Sequence, residues 1–151
     1  TDQSFVVADI PGLIEGAADG AGLGIQFLRH VARTSLLLHL VDIAPIDGTD
    51  PVEQIRAIEE ELSKFDAELL DRPRWLVLNK ADALPAEERD QVAADIIAQL
   101  GWDRPWFLIS AISREGTLEV CQQVQRFFEE ARLREEEAAA EADAVAGLPQ
   151  A

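Results

Sequence analysis

RWLVLNKAD, residues 74–82, joins a run of apolar residues to a polar turn. The apolar part, Trp75 to Leu78, is short and continuous, which is typical of a strand buried in a parallel sheet. Asn79, Lys80 and Asp82 follow at once, so their side chains stand where that strand ends. An amide, an ammonium and a carboxylate in this order have a definite chemical use, the recognition of a flat polar base.

The turn carries the groups that recognition of guanine requires. The carboxylate of Asp82 can accept two parallel N–H bonds from the ring and exocyclic nitrogens of guanine, a strong and geometrically exacting pairing. Adenine lacks this pair of donors and would leave the carboxylate unpaired. The stem of Lys80 can lie along the base while its ammonium stays in water, and Asn79 can tie the turn to a neighbouring phosphate-binding segment. A solvated polar turn is the alternative.

Two further segments also follow strand-like runs. Asp9-Ile10-Pro11-Gly12 follows Ser4 to Ala8, and Ser110-Ala111 follows Trp106 to Ile109. An aspartate that ends a buried strand can hold Mg²⁺, usually through water, and a glycine beyond it lets a backbone N–H approach a terminal phosphate. The Ser-Ala turn can present a backbone N–H to the guanine oxygen. In this order, the three segments resemble the later motifs of a GTPase domain.

The sequence around the first motif closely resembles the switch II region of the Obg family, bacterial GTPases associated with assembly of the large ribosomal subunit. The resemblance extends from about Ser4 to Arg132 and is carried by Asp9 to Ala18, Gly20 to Gly24, Phe27 to His30, Leu38 to Asp42 and Pro73 to Lys80. It implies a cytoplasmic protein, monomeric when intact, that binds GTP with Mg²⁺ and slowly hydrolyses it to GDP and phosphate.

The resemblance also assigns site residues. Nucleotide contacts fall on Asp9, Pro11, Gly12, Asn79, Lys80, Asp82, Ser110 and Ala111, with Asp9 also holding Mg²⁺ through water. Leu13 stands where many small GTPases have a glutamine that orients the attacking water, and it cannot do so. Glu15 matches a glutamate that related GTPases use to order that water at a distance. A solvated switch glutamate is an equal alternative for Glu15.

The bulk composition restricts the other function classes. With 48% hydrophobic and 28% charged residues, the 151-residue chain is typical of a soluble globular domain. A formal charge of −16 argues against a nucleic-acid grip by this segment, because phosphate contacts need clustered Lys and Arg. The longest apolar run, Leu36 to Val41, is too short to span a bilayer. The single cysteine, Cys121, excludes an internal disulfide, and we expect its thiol to be buried.

Strand and helix patterns alternate along the chain, which predicts an α/β fold of the P-loop NTPase (Ras-like) type with a truncated parallel sheet. Residues 1–132 form a partial GTPase domain, and residues 133–151 an acidic tail of frayed helix or disorder. We expect His39 to be a satisfied core histidine. The predicted strands are 4–8, 36–41, 74–79 and 106–109; the predicted helices are 23–34, one from Asp50-Pro51 with apolar positions to Leu69, 85–100 stopped by Gly101, and 117–132.

The sequence contains no G-x-x-x-x-G-K-[ST], the loop that cradles the α- and β-phosphates. We therefore expect the chain to be the C-terminal part of a longer protein and to be inactive in hydrolysis by itself. In the GTPase fold the strand before that loop lies between the strands that correspond to residues 4–9 and 35–42. We expect these two either to pair directly or to leave a gap that invites association.

Two other interpretations remain. A Rossmann-type dinucleotide-binding unit shares the strand, glycine-rich turn, helix, strand and acidic residue, but its glycines are spaced differently and it leaves N-K-x-D and S-A unexplained. A non-catalytic part that only contacts a partner, such as a ribosome surface, is the other. Weak guanosine binding without hydrolysis would fit that second interpretation, and magnesium-dependent GTP turnover would not.

Overall fold

The computed structural model describes Arg29 and residues 33–147. The described residues divide into two compact units, one that ends at Thr117 and one that begins at Leu118. The predicted strand at 4–8 and most of the predicted helix at 23–34 lie outside the described residues. The described elements are β1 (Leu37–Asp42), α1 (Pro51–Phe65), β2 (Arg74–Asn79), α2 (Ala86–Leu100), β3 (Trp106–Leu108) and α3 (Thr117–Ala146), with short 3₁₀ turns at Ala67–Leu70 and Ala81–Ala83.

The three strands form one parallel sheet in the order β1-β2-β3. In the register, Leu37 lies opposite Arg74 and Asp42 opposite Asn79, while Leu78 lies opposite Leu108. Helices α1 and α2 connect successive strands, as parallel pairing requires. This arrangement confirms the predicted α/β fold with a parallel sheet.

The core lies between the sheet and the two connecting helices. Leu76 and Leu78 of β2 are fully buried, and they belong to one cluster with residues of α1 and α2. A central strand that is apolar at nearly every position suits a place between two neighbours. The members contributed by the helices are Val52, Ile55, Ala93 and Ile96. This packing fixes β2, and with it the turn that β2 carries.

Helix α1 begins as its sequence predicts. The Asp50 side chain accepts a hydrogen bond from the backbone N–H of Val52 at 3.0 Å, and Pro51 occupies the first helical position. The predicted extension to Leu69 is wrong, because the helix ends at Phe65. Asp66 then caps a separate 3₁₀ turn by accepting from Glu68 N, and that turn buries Leu69 completely.

Helix α2 ends as predicted. It runs from Ala86 to Leu100, and Gly101 follows it in the left-handed region with φ of 63°. The N–H groups of Gly101 and Trp102 return to the carbonyls of Ala98 and Ile97 at 3.2 and 3.1 Å. These two bonds satisfy the last carbonyls of the helix and direct the chain towards β3.

Strand β1 is less buried than its sequence predicts. Of its six residues only Val41 is buried, and Leu40 is 58% exposed. Among the described residues β1 pairs on one side only, with β2. Since residues 4–9 lie outside the described part, the expectation that they either pair directly with β1 or leave a gap stays a prediction.

Helix α3 extends past the predicted end near Arg132 and continues to Ala146. Alanine and glutamate are strong helix formers, and Arg132 and Glu136 form an ion pair one turn apart at 3.8 Å. Val124 of this helix is buried, but Leu118 and Cys121 are exposed, so the expected burial of the Cys121 thiol is wrong. In the part of the chain that the structure describes, we find no helix with the length and hydrophobicity needed to cross a membrane.

Candidate functional site

The carboxyl ends of the three strands meet at one edge of the sheet. Backbone hydrogen bonds tie them together there: Ile43 N donates to Asn79 O at 3.1 Å, and Ala81 N donates to Ile109 O at 3.1 Å. This edge therefore brings the turn after β2 next to the Ser110-Ala111 turn after β3. Five of the predicted site residues come together in this way: Asn79, Lys80, Asp82, Ser110 and Ala111.

Asn79 links the two turns. Its Oδ1 accepts one hydrogen bond from its neighbour's backbone, Lys80 N, at 2.7 Å and another from Ala111 N at 3.1 Å. An amide oxygen has two lone pairs, so both are used. Among the described residues Asn79 thus holds the Ser-Ala turn, and the phosphate-binding segment that the sequence suggested as its partner lies outside them.

Asp82 and Ser110 make the second link. Ser110 is completely buried, and its hydroxyl donates to Asp82 Oδ1 at 2.7 Å. The same hydroxyl oxygen accepts from Ser113 N at 3.2 Å, which closes a turn after Ser110. Asp82 itself is exposed. One carboxylate oxygen is therefore oriented from behind while the group faces solvent.

Lys80 has a backbone conformation that is uncommon for a residue with a Cβ. Its φ of 68° and ψ of 36° lie in the left-handed region, where non-glycine residues often mark functional turns. Its ammonium lies 2.6 Å from Asp42 Oδ2 at the end of β1. The sequence predicted an ammonium in water, whereas in the structure the Lys80 ammonium pairs with a carboxylate and the side chain remains 42% exposed.

Three residues that were not predicted to belong to the site support the turn after β3. Ser110 N donates to Glu115 O at 3.0 Å, and the Glu115 side chain accepts from Arg89 Nη1 of α2 at 3.0 Å. Gly116 follows with φ of +77°, and a Cβ there would lie 2.7 Å from Leu108 O. A glycine shortly after a strand-ending S-A pair is the one signal in the sequence that could have indicated this close approach.

His39 differs from its predicted state as a satisfied core histidine. Its Nδ1 is buried and has no hydrogen-bond partner among the described residues. Burial, and then the nearby positive charge of Arg74, lower the pKa of His39 from 6.5 to about 4, so the ring is neutral at pH 7. It lines a cavity of about 480 Å³ between β1 and α1. The apolar run around it suggested a packed position, but β1 is only half-buried at this point.

Arg74 is the other polar group buried in this part of the sheet. Its side chain is 4% exposed, lies 3.5 Å from Glu59 and stacks over Trp102 with 4.9 Å between the guanidinium carbon and the ring centroid. Burial lowers the pKa of Arg74, and the charge of Glu59 opposes that shift. Arg74 begins β2, at the opposite end of the strand from Asn79, so it supports the strand and does not reach the site.

The remaining predicted site residues, Asp9, Pro11, Gly12 and Glu15, lie outside the described residues. Across Arg29 and residues 33–147, we find no cluster of three His, Cys, Asp or Glu side chains that could hold a metal ion. The described part of the chain therefore brings together five of the predicted nucleotide-binding residues and does not test the predicted magnesium ligand.

Comparison with models of known protein families identifies the family of the chain. The model of the family described as 50S ribosome-binding GTPase matches residues 1–80, more than half of the 151 residues. The matched range includes the D-x-P-G segment and ends at Lys80, within the turn after β2, and the bonded Asp82 and Ser110 lie beyond it. The chain therefore belongs to the family of 50S ribosome-binding GTPases.

Proposed function

We propose that this chain is the guanine-recognising part of an Obg-type GTPase that binds GTP and slowly hydrolyses it to GDP and phosphate. The double link between the turns after β2 and β3 carries this proposal. Asn79 accepts from Ala111 N, and Asp82 accepts from the Ser110 hydroxyl. Groups that recognise a base must be held in a fixed relation before the base arrives, and these two hydrogen bonds supply that.

The carboxylate of Asp82 has the capacity that guanine requires. A carboxylate has about four lone-pair sites, so the bond from Ser110 leaves room for two parallel N–H bonds from the base. Ala111 N already donates to Asn79 Oδ1 at 3.1 Å. In our proposal it shares this N–H with the guanine oxygen as a three-centre bond.

The phosphate side of the proposed site rests on the sequence alone. In our proposal Asp9 holds Mg²⁺ through water, Pro11 and Gly12 bring a backbone N–H to the terminal phosphate, and Glu15 orders the attacking water at a distance. Mg²⁺ would neutralise charge on the phosphates. Because the sequence lacks G-x-x-x-x-G-K-[ST], we expect these 151 residues alone to bind guanine nucleotide weakly and not to hydrolyse GTP.

The wider role follows the family. We propose that the intact protein is a cytoplasmic monomer that acts in assembly of the large ribosomal subunit, with residues 1–132 as the GTPase part and 133–151 as an acidic tail. The description of the matching family as 50S ribosome-binding supports this partner. A chain that contacts the ribosome without binding nucleotide is the second candidate, and a titration with guanine nucleotide separates the two.

Titration of the chain with GDP, with ATP and NADH as controls, tests the proposal. Trp75 lies in β2 and Trp106 in β3, so tryptophan fluorescence reports on the strands that carry both turns. Saturable quenching by GDP alone is the expected result. A buried tryptophan spectrum that does not respond to GDP would contradict nucleotide binding by this chain and favour the non-catalytic candidate.

The substitution Asp82→Asn tests directly whether this carboxylate recognises guanine. Asparagine keeps an oxygen that can accept from Ser110, but its amide group no longer accepts both N–H bonds of guanine. We expect GDP affinity to fall by roughly 10- to 100-fold, the range for a lost hydrogen bond to a charged group. Xanthosine diphosphate, which has an acceptor where guanine has its exocyclic amine, should bind better than GDP. Asp103→Asn removes the same charge from an exposed position and serves as the control.

A further inference from the structure

Asp42 stands beside the polar turn but has no role in the site described so far. It ends β1, and its Cα partner across the sheet is Asn79, the first residue of that turn. Its Oδ2 lies 2.6 Å from Lys80 Nζ, and its side chain is 24% exposed. The pair is therefore short, charge-assisted and partly shielded from water.

The two oxygens of Asp42 have different partners. Oδ1 accepts the backbone N–H of Ala44 at 2.9 Å, which closes a local turn directly after the strand. Because this bond fixes the carboxylate, Oδ2 is presented to Lys80 in one orientation. The fixed carboxylate of Asp42 thus restricts the otherwise flexible side chain of Lys80.

Lys80 is held at both ends as a result. The left-handed backbone at φ of 68° fixes where its stem leaves the turn after β2, and Asp42 at the end of β1 fixes where its ammonium lies. A four-carbon stem in water samples many rotamers, and ordering it on binding costs affinity. The ion pair orders the stem in advance.

We propose that Asp42 is a positioning residue for guanine-nucleotide binding. It holds the Lys80 stem extended across the edge of the sheet, where the base packs against that stem. This inference rests on the proposed function, because it needs a base at the site. Asp42 does not touch the nucleotide and acts only through Lys80.

Asp42→Asn separates this role from a purely structural one. Asparagine keeps an oxygen that accepts from Ala44 N, so the turn survives, but it removes the negative charge that holds the ammonium. Asp47→Asn is a matched control, since Asp47 Oδ1 accepts from Thr49 N at 3.0 Å in the same kind of turn on the same exposed loop. Both variants change the net charge equally.

The affinity of the full chain for GDP is the first measurement. We expect Asp42→Asn to weaken binding roughly three- to tenfold, as for loss of a short, partly shielded ion pair, and Asp47→Asn to leave it unchanged. In a Lys80→Met background, Asp42→Asn should have no further effect. Unchanged GDP binding by Asp42→Asn, or an equal loss of affinity in the unmodified and the Lys80→Met backgrounds, would overturn the proposed role of Asp42. The proposed function of the chain would stand. Failure of the unmodified chain to bind GDP would instead refute the proposed function, and the nucleotide role of Asp42 with it.

A second measurement tests the ion pair without nucleotide. Lys64 and Lys80 are the two lysines of the chain, so their rates of acetylation by an amine-reactive ester can be compared directly by mass spectrometry. We expect Asp42→Asn to raise the rate at Lys80 relative to Lys64 severalfold, and Asp47→Asn to leave the ratio unchanged. A ratio that Asp42→Asn does not alter would show that Asp42 does not hold Lys80, which also overturns the inference.

Discussion

Gly116 lies behind the turn that carries Ser110 and Ala111, with φ of +77°. A side chain there meets two obstacles, the left-handed backbone and the carbonyl oxygen of Leu108, which would lie 2.7 Å from its Cβ. The second contact is with backbone at the end of β3, so it cannot be relieved by rotating a side chain. Substitution must therefore displace either the strand end or the turn.

We expect Gly116→Ala to lower the free energy of unfolding by roughly 2–4 kcal/mol. Gly48→Ala is the control, because Gly48 has a similar φ of +73° but nothing within 4 Å of the place where a Cβ would lie. Its loss should be about 1 kcal/mol, the cost of the backbone conformation alone. Urea unfolding followed by tryptophan fluorescence measures both, and equal losses would show that the contact with Leu108 O is unimportant.

His39 gives the stability of the protein a distinct pH dependence. Its folded pKa of about 4 lies below the ordinary 6.5, so the unfolded chain binds a proton more readily than the folded one. The stability from neutral His39 is thus fully present above pH 6.5 and is lost as the pH falls towards 4. We expect a loss of about 1 kcal/mol in the free energy of unfolding between pH 7.5 and 5.5, before most carboxylates titrate.

His39→Gln provides the comparison for this pH effect, since glutamine is polar but does not titrate. Urea unfolding of both proteins at the two pH values gives the difference in slope. If His39→Gln loses as much stability between the two pH values as the unmodified chain does, the pH dependence must come from other groups.

Helix α1 shows what an element's own sequence can predict. Asp50-Pro51-Val52-Glu53 gave the start of the helix correctly because a cap is a contact between residues two or three positions apart. The end was missed because apolar spacing continues to Leu69, whereas the backbone leaves the helix at Asp66 and buries Leu69 in a 3₁₀ turn. Spacing reports which side chains face the core and not which backbone shape brings them there.

The cap of α1 should be a measurable part of its stability. Asp50→Ala removes the acceptor for Val52 N, and we expect a loss of about 1 kcal/mol in the free energy of unfolding. Asp47→Ala removes a similar exposed bond, to Thr49 N, from a loop and should cost less. Thermal unfolding followed by circular dichroism distinguishes the two variants, and the reverse order of losses would argue against capping as the cause.

For the whole molecule, the order of the strands predicted which residues lie close together but not the contacts that they make. The N-K-x-D and S-A motifs end two strands, β2 and β3, that are parallel neighbours, so both motifs lie at the same edge of the sheet and the approach of Asn79 and Ser110 followed from the sequence. The pairing of Asp42 with Lys80 depends on the register of β1 against β2, and the approach of Gly116 to Leu108 depends on the path of a turn. Burial of β1 was overestimated for a related reason, because it depends on neighbours outside the strand.

The C-terminal part of α3 tests whether the proposed tail contributes to the stability of the folded chain. Every residue from Arg132 to Gly147 is exposed, and Arg132 pairs only with the next turn of the same helix among the described residues. Side chains that bury nothing contribute little to the free energy of unfolding. Removal of residues 133–151 should therefore change that free energy by less than about 0.5 kcal/mol, leave GDP affinity unchanged and reduce the helical circular dichroism signal.

Val124→Ala is the matched control on the same helix. Val124 is 4% exposed, so its truncation should cost about 1–3 kcal/mol by leaving a cavity. Since a helix can lose exposed turns without losing its buried ones, the deletion should be mild and the single substitution harmful. A deletion that destabilises the chain as much as Val124→Ala would show that the residues after Arg132 take part in the folded core, and the proposed boundary between GTPase part and tail would have to move towards the C-terminus.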